Sequence, residues 1–320
     1  MADLIARMRR GSASVLSGLA RRKYSGLHLV YRLVVYVLLF NVAYVFLFPF
    51  FYMLITSIKS PQDLADVTIS WIPRGIYLRN YALAFKTLGF WSHLRNSIVI
   101  TLLAILGHLA SGSLIGYGFA RYRFTGQRLF FGIVILSLVI PIQTLVIPMY
   151  ILYQKLGLLN SYLPILVPTL FGFGLRGGLY IFIFRQFFLR LPFELEDAAK
   201  IDGCSFLGTF YRIVLPISQP ALLVSSILAM VWHWHDFYEP SIFIRQSTLL
   251  PLTSMLPKLF DMLYGMEEDL QTAFEQDLTL MYNDALAMAA TVLVILPVLI
   301  VFAVVQRYFI QGVERTGLVE

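Results

Sequence analysis

Charge is scarce in this chain. Of its 320 residues, 13% are charged and 58% are hydrophobic, whereas soluble domains carry roughly 25% charged residues. That excludes an ordinary soluble domain and reads as an integral membrane protein. A single cysteine, Cys204, excludes an intrachain disulfide framework or a multi-cysteine metal site; its place in a turn suggests small-residue packing. No GxxxxGK[ST] run is present, so the chain does not bind ATP by that route. No Asp or Glu occurs between Asp66 and Glu194, which leaves three successive apolar stretches without the carboxylates that proton-driven carriers keep in the membrane. Neither a Ser-His-Asp nor a Cys-His arrangement for nucleophilic chemistry is evident. The net charge of +7 does not imply nucleic acid, because the basic residues flank apolar spans.

What is present is a series of apolar runs. A spanning helix takes about 20 residues, and six stretches qualify, at about 30–56, 95–120, 129–153, 163–185, 217–240 and 285–306. The expected fold is an all-α integral membrane protein with six transmembrane helices. Residues 1–29 form a basic tail, which reads as leading into an uncleaved anchor. The membrane domain covers 30–310, with a loop at 186–216 and outer segments at 57–94 and 241–284, and 311–320 form a second tail. With the N-terminus inside, cytoplasmic segments hold sixteen Lys and Arg and outer segments eight. The positive-inside rule therefore favours N-in/C-in, with 186–216 cytoplasmic. Ser60-Pro61-Gln62-Asp63 carries a helix-start signature. The acidic 241–284 segment is long enough for its own helix.

Several residues inside the spans have two readings each. Gly112 and Gly116 form a GxxxG pair, for close helix packing within the chain or between subunits. Pro141 and Pro148 kink the third span, and Gln143 between them could line a polar pathway. Arg176, among Gly172, Gly174, Gly177 and Gly178, is costly at membrane depth and calls for a structural partner or a translocation path; the glycines suggest close packing or a broken helix. Trp232, Trp234, Asp236 and Tyr238, at the end of the fifth span, suit either an interfacial belt or stacking on sugar rings. His233, His235 and Asp236 lack a second ligand cluster and make no convincing zinc site.

The loop is the most informative part. Glu194, Glu196 and Asp197 suit the first turn of a helix, Ala198 and Ala199 favour it, and Gly203 can end it. A second helix from about Ser205 to Leu215-Pro216 carries Phe206, Leu207, Phe210, Ile213 and Val214 on an apolar side that wants a partner. This segment resembles the coupling loop of binding-protein-dependent ABC importer permeases, in which E-A-A, three residues, Gly, nine residues and I-x-L-P follow one another. Here Asp197-Ala198-Ala199 precede Gly203, with Ile213, Leu215 and Pro216 in register and Asp202 before the glycine. Asp197 departs from the usual Glu, keeping the charge and shortening the reach. Ser57-Ile58-Lys59-Ser60-Pro61, Asn80-Tyr81, Asn96-Ser97, the run Tyr117 to Tyr122, and Gln306 to Gly312 are similar to the carbohydrate-uptake branch, in particular to the smaller permease of maltose and glycerol-3-phosphate importers.

The resemblance implies a type I ABC importer permease in a bacterial or archaeal cytoplasmic (inner) membrane. It would pair with a second, non-identical permease, two ATPase subunits that hold ATP-Mg, and an external solute-binding protein, and would bind no cofactor itself. The helix around Asp197–Gly203 would dock in an ATPase cleft, and the tail from Gln306 would reach toward the ATPase interface. The acidic 241–284 segment would lie where this branch meets the binding protein. The chain would catalyse nothing and would form half of a path for a sugar, oligosaccharide or polyol derivative. The competing classes are a stand-alone secondary carrier or channel, and a scaffold that recruits a partner without transporting.

Overall fold

The computed structural model describes the backbone of residues 2–69, 71–174, 176–269 and 283–317, and the side chains of those between 30–263 and 283–307. Among these every regular element is helical. The first is α1 (Ala2–Ser57), whose stretch Val30–Ser57 is long and apolar enough to cross a bilayer. Its side chains are largely exposed, Phe40 to 72% and Phe46 to 71%, which suits a helix that meets lipid or another subunit. Two short helices follow, α2 (Pro61–Ala65) and α3 (Arg79–Thr87). The helix start read at Ser60 is a full capping box: Asp63 donates its backbone N–H to Ser60 Oγ at 3.1 Å, and Ser60 N–H donates to Asp63 Oδ2 at 3.4 Å.

The centre of the molecule is α4 (Phe90–Arg121). It packs along α7 (Leu163–Leu170), α8 (Gly177–Leu189) and α12 (Gln219–His235). The GxxxG pair is resolved as an intrachain contact. A Cβ on Gly116 would meet Phe184 Cβ at 2.8 Å and Arg185 N at 3.0 Å, and one on Gly112 would meet Tyr180 Cβ at 3.0 Å. α4 and α8 therefore approach more closely than any side chain at these positions would allow. The last helix, α15 (Asp284–Gly317), runs against α1 and α3.

Among the described residues three helices are long and apolar enough to span a membrane, at Val30–Ser57, Phe90–Arg121 and Asp284–Arg307. The other three expected spans are interrupted. In the third, α5 (Gln127–Val139) and α6 (Ile142–Lys155) meet at 104°. Pro141, which cannot continue a helix's hydrogen-bond ladder, caps the start of α6. The kink expected there is a break. In the fourth, α7 and α8 are separated by 171–176, with Gly172, Gly174 and Arg176 at positive φ; the helix is broken and the glycines also pack closely, a Cβ on Gly178 meeting Val134 O at 2.9 Å. The fifth is α12, entered through a 77° bend and followed by α13 (Tyr238–Phe243).

One end of the bundle is closed by polar side chains of α4. His93 Nδ1 and Asn96 Nδ2 donate to the Leu250 carbonyl at 2.7 and 3.0 Å, and Ser97 Oγ accepts from Leu252 N–H at 2.8 Å. Ser57 Oγ shares a hydrogen bond with Tyr81 Oη at the same end, and Asn80 donates to the Ser57 and Lys59 carbonyls. The 186–216 loop lies at the opposite end, where α4 finishes at Arg121. The helix expected within 241–284 is α14 (Met255–Asp269). Glu275 and Asp277 lie outside the described residues, as do the side chains of the basic tail before Leu29 and of the motif from Tyr308 to Gly312.

Candidate functional site

The loop begins with α9 (Glu194–Ile201). Its three first-turn acids match the positive end of the helix dipole. Its far end is a Schellman turn: Gly203 N–H donates to the Lys200 carbonyl at 3.0 Å and Cys204 N–H to the Ala199 carbonyl at 2.9 Å. This closure needs φ of +79° at Gly203, where a side chain is strained. Ser205 then caps a single turn, α10 (Phe206–Thr209), by accepting from Gly208 N–H at 3.2 Å. A π-helical turn over Phe210–Val214 and α11 (Leu215–Ile217) lead to α12. The second helix is thus not uniform, and Pro216 lies inside its last turn instead of ending it.

The loop has an inner and an outer face. Glu196 points inward. Its Oε1 lies 2.6 Å from Arg121 Nε, with both side chains almost fully buried, and its Oε2 accepts from Tyr117 Oη at 3.0 Å. Arg121 also donates to the Leu191 carbonyl at 2.7 Å and stacks on Phe193 at 4.2 Å. Both residues flanking the start of α9 are therefore fixed to the end of α4. Phe210 and Val214 are buried in a cluster with Tyr117, Phe184, Phe188 and Ala221, and Phe206 stacks on Tyr117 at 5.3 Å. The apolar side expected to want an outside partner is mostly seated on the chain's own bundle, a correction that follows from the aromatic shelf around Tyr117. Ala199 is buried as well, while Ile213 and Leu215 are half-buried.

The outer face carries Glu194, Asp197, Ala198, Asp202, Gly203 and Pro216, all exposed. Ile201 is 87% exposed and Leu207 51%. Asp197 accepts from Lys200 Nζ at 2.9 Å on the surface, which raises the lysine above its ordinary pKa. This is a small acidic helix with an apolar tip, held rigidly from behind.

A second site lies within the bundle. A cavity of about 710 Å³ is bounded by the α5–α6 break, the start of α8 and the end of α12. It gathers Gln143, Arg176, Trp232, Asp236 and Tyr238, residues from three expected spans, with His235 and Glu239 beside them. The Arg176 guanidinium lies over the Trp232 ring at 4.2 Å, and Arg176 adopts φ of +63° as the residue that opens α8. Asp236 Oδ1 accepts from the backbone N–H groups of Tyr238 and Glu239 at 3.0 and 3.2 Å. Trp232, Asp236 and Tyr238 line one cavity together. Trp234 leaves it, buried with its Nε1 donating to the Val294 carbonyl at 3.3 Å.

The helical period separates Trp232 from Trp234, since two residues make roughly 200° of rotation at 3.6 residues per turn. It also separates His235, on the cavity, from His233, which is buried with its Nε2 3.1 Å from His108 Nε2. His108 was not legible as the partner of His233, because the two are 125 residues apart.

Beyond this geometry, a profile of the family described as binding-protein-dependent transport system inner membrane component matches residues 112–315. The chain belongs to this family. The permease is 31% identical over 280 residues to the arabinooligosaccharides transport system permease protein AraQ of Halalkalibacterium halodurans, covering 87% of this chain and 92% of the relative. It is 26% identical to the polygalacturonan/rhamnogalacturonan transport system permease protein YtcP of Bacillus subtilis, covering 88% and 96%. A solved bacterial ABC transporter involved in import of the acidic polysaccharide alginate includes a chain that superposes with a TM-score of 0.72 at 26% identity, covering 88% of this permease and 96% of that chain. The resemblance read from the Asp197–Pro216 motif is therefore borne out at the level of an ABC importer permease.

Proposed function

We propose that this permease forms half of the translocation path of an ATP-driven importer for sugars or oligosaccharides in a bacterial or archaeal cytoplasmic membrane. The relatives named for arabinooligosaccharides and polygalacturonan support the solute class. The chain would cross six times with both termini inside. The bent α5–α6 pair would serve as the third crossing and the α7–α8 pair as the fourth. A second, non-identical permease completes the path, a solute-binding protein delivers the cargo, and two ATPase subunits carry ATP-Mg and hydrolyse it.

The observation that carries this reading is the two-faced α9. Its outer surface of Asp197, Ala198, Ile201 and Asp202 is exposed and would enter a cleft in an ATPase, and its inner surface is locked to α4 through Glu196 and Arg121. A helix fixed in this way moves with the bundle instead of flexing against it. Closure of the ATPases would tilt α4 and the helices packed on it, switching the path between two rigid packings. A stand-alone carrier gains nothing from such a loop.

The test is to purify the permease with its genomic neighbours and measure binding-protein-stimulated ATP hydrolysis in liposomes. The reading expects Ala198→Arg or Ile201→Asp on the outer face to abolish stimulation and release the ATPase. Full stimulation with both variants would sink it.

A further inference from the structure

The cavity has a feature that a path for neutral sugars does not require. Among the described residues Arg176 makes no ion pair, although it lies at membrane depth, where an arginine normally finds a carboxylate or a water-filled space. Its guanidinium is fixed by stacking on Trp232 at 4.2 Å. Stacking occupies the face of the guanidinium plane and leaves its N–H groups free along the edge, the geometry that receives a carboxylate through two parallel hydrogen bonds. The left-handed backbone at Arg176 is a strained conformation for a non-glycine residue, of the kind that concentrates at ligand sites. Gly177 and Gly178 also line the cavity and open the 13-residue α8, whose positive dipole end adds to the charge of the arginine.

Asp236 and Glu239, near the end of α12, line the same cavity. Asp236 keeps Oδ2 buried without a hydrogen-bond partner, an acceptor that a turn of its side chain into the cavity would offer to a ligand. The cavity therefore holds both a fixed cation and an unsatisfied acceptor. A ligand that answers both has a carboxylate and hydroxyl groups on the same ring.

Resting on the importer reading above, we infer that this permease holds a solute subsite of its own, selective for oligosaccharides of acidic sugars. The uronate carboxylate sits on Arg176 and a ring hydroxyl donates to Asp236.

The test uses the complete importer in proteoliposomes, with trigalacturonate and maltotriose as probes. Arg176→Gln is expected to lower trigalacturonate uptake roughly tenfold or more, the size of a lost charge-assisted contact, with Arg176→Lys retaining part of it. Co-purification of the ATPase with each variant reports that the chain has folded. Uptake of maltotriose but not trigalacturonate by the unaltered importer would overturn the inference while leaving the importer reading intact, as would equal trigalacturonate uptake by folded Arg176→Gln. Absence of ATP-dependent uptake of either sugar would overturn both.

Discussion

Arg121 Nε lies 2.6 Å from Glu196 Oε1, and the pair joins the end of the longest central helix to the loop that follows α8. Removing one partner of a buried pair leaves the other charge uncompensated, at a cost of about 3–5 kcal/mol. Glu196→Gln or Arg121→Gln should each lower the thermal midpoint of the purified permease and weaken its hold on the ATPase. The double variant should lose less than the two single losses added together. Strict additivity in thermal denaturation would show that the pair does not act as a unit.

Close approach of α4 and α8 leads to a graded series. Gly116→Ala places a methyl group 2.8 Å from Phe184 Cβ, and overpacking of this kind costs about 1–3 kcal/mol. Gly118→Ala meets nothing within 4 Å and should be neutral or stabilising by up to about 1 kcal/mol, from helix propensity alone. Thermal melts of the two variants in detergent should move in opposite directions, or only the first should move.

Gly203 is open to space but not to conformation. No atom would touch a Cβ there, yet φ is +79°. Gly203→Val should cost about 1–2 kcal/mol from the left-handed backbone, and Gly203→Asn distinctly less. Stimulated ATP hydrolysis should fall in the same order. Equal loss for both would point to sterics at a docked partner instead of backbone strain.

The tryptophans on opposite sides of α12 should separate path from packing. Trp232→Ala removes the surface beneath Arg176 and should reduce uptake with little loss of stability. Trp234→Phe forfeits one hydrogen bond, about 1 kcal/mol, and should shift the melting temperature while uptake persists. Matching uptake losses in the two variants would contradict the separation.

Much of this was legible from local chemistry. The glycine closing α9 and the Ser60 capping box are satisfied within a few residues, so sequence alone carries them. The inward turn of Glu196 was not, because its partner Tyr117 is 79 positions away and only packing decides which of three neighbouring acids is buried. Pro141 announces an interruption, but not its 104° angle, which depends on what the two halves pack against. Gln143, Arg176 and Trp232 could be nominated singly as polar or aromatic residues in apolar runs. Their meeting around one cavity required the third, fourth and fifth apolar segments to be placed together. The opposed faces of Trp232 and Trp234 were available from helical period alone.

The clasp of His93, Asn96 and Ser97 onto Leu250 and Leu252 has a consequence for biosynthesis. His93 and its carbonyl partner are 157 residues apart, so this end of the bundle cannot close until most of the chain has left the ribosome. Until then α4 holds its polar groups open, a long-range closure of the kind that slows assembly and exposes intermediates. Nascent chains ending before Leu250 should be the ones that quality-control proteases remove, and completion of that segment should mark the onset of protection.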